Sequence, residues 1–289
     1  MKTFDKKVAV ITGAASGIGL AIAHKAASLG MCLVIADIDK EQLAAAQLEL
    51  EERGPVSVEP VVCDVSQDEQ VAQLAQGAID AFGAVHLLFN NAGVGGGGKL
   101  WELDADYWEW VLGINLYGVI HGVRHFTPLM IGQGEGHIVN TASIAGLMSA
   151  PGTGPYTVSK HAVVALSEML YGELKADNAS VGVSVLCPSF VDTRIFASEK
   201  NRPLDEATRS DPAWIAEQAA IEEAASAFFT SSALPTEVVA EQVFDAIEKE
   251  QFYILTHPQG SVEQVEQRLR AILEGGYPPA TGPENFPLD

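Results

Sequence analysis

The sequence predicts an α/β fold in which a parallel sheet is covered by helices on both faces. Short β-branched runs alternate with longer helical patterns along the chain, without an internal repeat, as strand–crossover–strand units require. At 289 residues, 47% hydrophobic and 19% charged, the chain has ample apolar material for a sizeable core, and α/β folds of this length often form one domain. A glycine-rich turn joins the first strand to the first helix, where such sheets receive anions.

The first strand is Val8–Ile11, followed by Thr12-Gly13-Ala14-Ala15-Ser16-Gly17-Ile18-Gly19 and a helix to about Leu29. Glycines at 13, 17 and 19 allow a tight turn, close approach of backbone to a phosphate, and close helix–strand packing. Met31–Ala36 is the second strand and ends in Asp37, whose carboxylate can accept hydrogen bonds from both hydroxyls of an adenosine ribose and would repel a 2′-phosphate. Neither Ala14, Ala15 nor Ile38 offers a cation for that phosphate, and Lys40 reads as a solvated residue opening the next helix. Asp37 could instead be a helix N-cap, although Asp39 is at least as good a cap.

Val56–Val62 is the third strand, followed by Cys63-Asp64-Val65 and a helix capped by Ser66, with Glu69 completing a capping box. His86–Phe89 is the fourth, leading into Asn90-Asn91-Ala92-Gly93, which suits a plain turn and backbone running beside a ligand equally well. Gly95-Gly96-Gly97-Gly98 is expected to be a mobile loop. A helical pattern from Asp104 to about Ile131 carries Asn115 inside an otherwise apolar face. Gly136–Thr141 is the fifth strand, with Ser143 just past its end.

The next helix opens at Pro155, where a missing N–H costs nothing. Tyr156 and Lys160, four residues apart, then share one helical face. An ammonium near a phenol favours the phenolate, which makes a proton donor and acceptor usable near neutral pH. Taken alone, the same spacing also occurs on many solvated helices.

Val181–Leu186 is the sixth strand, followed by Pro188-Ser189-Phe190-Val191-Asp192-Thr193. Residues 194–235 contain Pro203, Pro212 and Pro235 and the apolar groups Phe196, Trp214, Ile215, Phe228 and Phe229. They read as helical lid material inserted before the last crossover, with permanent packing on the body or another subunit as the alternative. Thr236–Lys249 is a helix, Phe252–Leu255 the seventh strand and Ser261–Leu273 a final helix, and the proline-bearing tail 275–289 is expected to be extended.

The formal net charge of −21 argues against nucleic acid or an anionic membrane as partner. Cys32, Cys63 and Cys187 form no metal-ligand spacing and fall in apolar runs, so they read as buried reduced thiols of a cytoplasmic protein. The N-terminal apolar run is too short for a signal peptide, and no stretch approaches a membrane span.

With these motifs in order, the chain resembles the short-chain dehydrogenase/reductase family over nearly all of residues 5–255. Thr12 to Gly19 matches that family's T-G-x-x-x-G-I-G motif and Asn90 to Gly93 its N-N-A-G. Asn115, Ser143, Tyr156 and Lys160 match its catalytic tetrad, while its P-G after the sixth strand is Pro188-Ser189 here. The resemblance implies a single-domain, Rossmann-like, doubly wound seven-stranded parallel sheet with NAD, or less readily NADP, across the strands' carboxyl ends. It implies that Gly13, Ser16, Gly17, Ile18 and Gly19 hold the pyrophosphate, Asp37 the ribose, and Asp64 and Val65 the adenine. Asn90, Ala92 and Gly93 would line the cofactor, Lys160 would hold the nicotinamide ribose, Val191 and Thr193 would position the carboxamide, and Tyr156 and Pro188 would also contact the cofactor. The activity implied is metal-free hydride transfer between NAD and a small-molecule secondary alcohol or ketone, with Ser143 polarising the substrate oxygen and Tyr156 moving the proton. An aromatic lid would make that substrate hydrophobic. Such proteins are homodimers or homotetramers. An NADPH-linked carbonyl reductase and a catalytically silent dinucleotide-binding regulator are the alternatives.

Overall fold

The computed structural model describes residues 1–54, 57–229 and 233–279. Seven parallel strands form one sheet in the order β3-β2-β1-β4-β5-β6-β7. They are β1 (Val8–Thr12), β2 (Cys32–Asp37), β3 (Val58–Val62), β4 (Leu87–Asn90), β5 (Gly136–Thr141), β6 (Val181–Cys187) and β7 (Tyr253–Leu255). The helices are α1 (Gly17–Ser28), α2 (Lys40–Glu52), α3 (Asp68–Phe82), α4 (Ala105–Leu112), α5 (Gly118–Gln133) and α6 (Gly154–Ala176), then α7 (Glu206–Arg209), α8 (Pro212–Phe229), α9 (Thr236–Glu248) and α10 (Pro258–Glu274). Among the described helices none is long and apolar enough to cross a membrane.

The central strand shows why the sheet is covered on both faces. Alternate side chains of a strand point to opposite faces. Ala9 and Ile11 accordingly pack with Ile22 of α1, Leu43 of α2 and Phe244 of α9, whereas Val8 and Val10 pack with Leu74 of α3, Phe126 of α5 and Leu170 of α6. β1 pairs with β2 on one side and β4 on the other, with Ile11 opposite Ile35 and Phe89. The strand order reverses between β1 and β4, so the loops after them diverge and leave a crevice at their carboxyl ends.

Between α4 and α5 the chain makes one π-helical turn, Gly113–Tyr117, closed by a bond from the Gly118 N–H to the Gly113 carbonyl. Such a bulge re-aims side chains within an otherwise continuous helix, and here it turns Asn115 fully inward.

Three local expectations change. Ser66 does not cap α3: its N–H and hydroxyl both bond the Asp64 carboxylate (3.0 and 2.7 Å), so the helix starts at Asp68 with Gln67 in an N-cap that makes no side-chain bond. The glycine run is anchored, because Gly95 N–H donates to Ser198 Oγ (2.8 Å), Gly97 N–H to the Tyr107 hydroxyl (3.1 Å) and Gly98 N–H to the Gly152 carbonyl (2.7 Å). Cys32 is half-buried as the first residue of β2, while Cys63 and Cys187 are buried, and all three thiols are free. Residues 280–289 of the expected extended tail lie outside the described residues, and 275–279 form neither helix nor strand.

Candidate active site

A cavity of about 1320 Å³ occupies the crevice at the strands' carboxyl ends. Its floor at the end of β1 is shaped by glycine. Gly13 and Gly17 have φ of +64° and +57°, which L side chains rarely adopt, and a Cβ on Gly19 would lie 2.1 Å from the Gly13 carbonyl oxygen. Thr12 ties this turn to the end of β4, its Oγ1 accepting the Asn91 and Ala92 N–H groups (3.0 and 3.1 Å) and donating to the Phe89 carbonyl (3.2 Å). Ser16 stands at the N-cap of α1 without a side-chain cap bond, so the first-turn N–H groups of that helix are available to an anion.

Asp37 closes the next wall. One carboxylate oxygen accepts the Ala15 N–H (3.1 Å) and the other the Asp39 N–H (3.0 Å), which fixes the group while each oxygen keeps a lone pair for a hydroxyl. Asp39, not Asp37, caps α2 by accepting the Gln42 N–H (3.0 Å). Asp64 and Val65 line the cavity beyond β3, with Val65 held by the His121 ring, whose Nδ1 donates to its carbonyl (3.0 Å). A glycine turn, an open helix N-terminus and a carboxylate fixed with free lone pairs in one cleft fit a dinucleotide.

Ser143, Tyr156 and Lys160 meet on the opposite wall. Ser143 caps the 3₁₀ turn Ile144–Gly146, accepting the Ala145 N–H (3.1 Å), and its hydroxyl donates to the Pro188 carbonyl (3.4 Å). Lys160 is buried, donates to the Thr141 carbonyl (2.9 Å) and holds its Nζ 5.6 Å from the Tyr156 ring centroid. Burial pulls the Lys160 ammonium down to about 8. The net shift of the phenol is opposite to the one expected from Lys160 alone. Burial raises the Tyr156 phenol above its ordinary value, and the neighbouring Ser143 hydroxyl offsets only part of that rise.

Of the remaining expected site residues, Gly13, Ser16, Gly17, Ile18, Ala92, Gly93, Pro188, Val191 and Thr193 line the cavity. Gly19, Asn90 and Asn115 lie behind its wall: Gly19 packs on Gly13, Asn90 donates to Asn140 (2.9 Å), and Asn115 bonds Val94. Pro188 keeps its place although Ser189 replaces the family's glycine, the Ser189 N–H being taken by Thr256 Oγ1 (3.1 Å). Phe196 lines the cavity, Trp214 is half-buried away from it, and the side chains of Phe228 and Phe229 lie outside those described.

Two cleft-lining cations, Arg194 and Lys200, were not anticipated. Arg194 donates to Gln42 Oε1 (2.6 Å) across 152 residues of sequence, a pairing with no local signal. Asp39 is held below the usual carboxylate range mainly by the Gln42 N–H, with a smaller contribution from the Lys200 charge. The Thr141 carbonyl was also missed, although its position at the end of β5, two residues before Ser143, is a usable signal. Among the described residues no group of three or more His, Cys, Asp or Glu converges on a metal-sized site.

Comparison with known proteins agrees with this architecture. The short chain dehydrogenase family model matches residues 7–203. The chain is 36% identical over 279 residues to a CLA biosynthesis dehydrogenase/reductase of Lactiplantibacillus plantarum, covering 96% of this chain and 97% of that one. It is 32% identical to a C alpha-dehydrogenase of a Sphingobium strain, covering 98% and 91%. A crystal structure of a short-chain dehydrogenase/reductase from Burkholderia phymatum in complex with NAD superposes with a TM-score of 0.88 at 48% identity, covering 98% of this chain and 99% of that one. The chain therefore belongs to the short-chain dehydrogenase/reductase family of NAD(P)-dependent oxidoreductases.

Proposed function

We propose that this protein interconverts hydrophobic secondary alcohols and ketones with NAD as cofactor. The observation that carries the reading is the meeting of Ser143, Tyr156 and Lys160 on one wall of a cleft whose other wall presents Asp37 and the open N-terminus of α1. When bound, NAD supplies the two-electron acceptor. Gly13 and the first turn of α1 hold its pyrophosphate, Asp37 its adenosine ribose, and Asp64 and Val65 flank its adenine. Ser143 orients the substrate oxygen by a hydrogen bond that strengthens as negative charge develops there. Tyr156 Oη takes the alcohol proton in oxidation and returns it in reduction. Lys160 favours the phenolate and holds the nicotinamide ribose, and Asn115 fixes the backbone behind them.

The hydrophobic class is supported by Met148, Ala150, Pro151, Ile195 and Phe196, apolar side chains that share the cavity with Tyr156. Residues 194–203 supply part of that wall and open the segment 194–235 that serves as its lid. A homo-oligomer belongs to the same proposal, and the exposed Val158 and Met169 of α6 are apolar side chains it could cover. A second reading, an NADPH-linked carbonyl reductase, draws on Arg194 and Lys200 beside the Asp37–Gln42 wall, because two cations there could offset the repulsion of a 2′-phosphate. Titration with NAD and NADP separates the two. Tighter binding of NADP by the unmodified protein overturns the NAD assignment.

A further inference from the structure

Asn115 has no spare donor for a substrate. Its Oδ1 accepts the Val94 N–H (2.8 Å), and its Nδ2 donates to the Val94 carbonyl (2.9 Å) and to Ser159 Oγ (3.2 Å). Ser159 is fully buried one residue before Lys160, and its hydroxyl proton goes to the Tyr156 carbonyl (2.7 Å). A helical serine that bonds back only to its own preceding turn would merely satisfy its hydroxyl. This one also receives a bond from a different element, the π-turn. The two bonds form a continuous path from Val94, after β4, through Asn115 and Ser159 to the backbone of Tyr156. The path runs beside the ammonium: a Cβ on Gly93 would stand 3.2 Å from Asn115 Oδ1 and 3.5 Å from Lys160 Nζ.

We propose that Ser159 is a positioning residue for proton transfer, locking the first turn of α6, with Tyr156 and Lys160, to the Asn115 turn. The inference rests on the assignment of Tyr156 as the proton-transfer group. Without the Ser159 hydroxyl, one Asn115 amide proton is left buried without its acceptor, and the turn that presents Tyr156 loses its anchor. Lys160 then no longer stands in fixed register with the phenol, so the phenolate is less favoured.

The test compares the unmodified protein with Ser159→Ala, Ser159→Thr, Asn115→Ala and the Ser159→Ala/Asn115→Ala double variant. Alanine fits the serine space, and threonine keeps the hydroxyl. Tyrosinate absorbance is titrated in each, with Tyr156 isolated by subtracting the same titration of a Tyr156→Phe background, which requires no substrate. Ser159→Ala is expected to raise the Tyr156 pKa by about half a unit or more and to lower kcat by roughly tenfold or more. NAD affinity should fall by no more than a few-fold, since Ser159 does not line the cleft and Lys160 is one of several proposed cofactor contacts. Thr should recover much of the loss, and the double variant should be no worse than Asn115→Ala. An unchanged Tyr156 titration with only a lower melting temperature would reduce Ser159 to a structural hydroxyl and overturn the proposal, as would fully additive losses in the double variant. A shifted titration in a protein that oxidises no alcohol would instead refute the proposed function while leaving the Ser159 linkage standing.

Discussion

Gly19→Ala isolates what the glycine turn contributes. The added methyl would meet the Gly13 carbonyl oxygen at 2.1 Å, the Gly13 carbonyl carbon at 2.8 Å and Asn91 Nδ2 at 2.6 Å. Relief to ordinary contact requires a backbone displacement of more than about 1 Å, because a carbonyl cannot rotate aside as a side chain can. Gly13 has little room to retreat, since its own hypothetical Cβ position is already 2.8 Å from the Ala92 Cα. Overpacking of this kind costs about 1–3 kcal/mol, and at roughly 2–4 °C per kcal/mol for a chain of this class the midpoint should fall by some 2–12 °C. The same displacement moves the backbone expected to hold the pyrophosphate, so NAD affinity should drop by tenfold or more, on the order of the loss seen for a 1 Å misplacement. Gly77→Ala in α3 is the matched control. A Cβ there meets nothing within 4 Å, so the same chemical change should stabilise by roughly 0.5–1 kcal/mol through helix propensity. Thermal denaturation and a fluorescence titration with NAD read both variants. If Gly19→Ala melts within a degree of the unmodified protein and binds NAD within twofold, the tight turn is not what shapes the cleft.

Asp37→Ser with Ile38→Arg should move preference toward NADP, by removing a carboxylate and adding a phosphate partner; the ratio of kcat/KM for the two cofactors measures it, and an unchanged ratio contradicts the role of Asp37. Lys160 gives a pH signature of stability. Its folded pKa, about 8, lies below the ordinary lysine value of 10.5, so between those values the unfolded chain binds more protons and stability from this group rises with pH. Denaturant melts should therefore show Lys160→Met losing that rise, with its stability relative to the unmodified protein highest below pH 8 and falling toward pH 10.5; a parallel pH dependence in the two proteins would mean that Lys160 is not desolvated.

The parts of the fold that were legible in the sequence are those governed by short-range rules. Gly136–Thr141 is legible residue for residue because the β-branched pair Ile138-Val139 sits in a short run bounded by glycine and polar residues, and Pro155 marks the first turn of α6. The glycine turn, Asp37 and the Tyr156–Lys160 pair are legible because strand ends and helix starts fix where side chains emerge, whereas Ser143 stands out only through its match to the family's tetrad. Ser66 was misread as a cap because the competing acceptor, Asp64, wins by holding both the Ser66 N–H and hydroxyl in a tighter local turn. Arg194 reaching Gln42 and Ser159 accepting from Asn115 depend on tertiary neighbours, for which linear spacing carries no signal. The lowered Lys160 and raised Tyr156 pKa values had the same origin: the sequence shows that the two groups are near each other, whereas desolvation depends on everything packed around them.

The proposed chemistry is tested most directly by steady-state oxidation of a panel of hydrophobic secondary alcohols with NAD, by the unmodified protein and by Tyr156→Phe. In the proposed mechanism the phenol hydroxyl carries the proton, whereas cofactor contacts would be spread over the glycine turn, Asp37 and Lys160. Tyr156→Phe should lose about 10²–10⁴-fold in kcat, the usual cost of a missing general acid–base, while its NAD affinity stays within a few-fold. A Tyr156→Phe protein that keeps most of its kcat would contradict the mechanism.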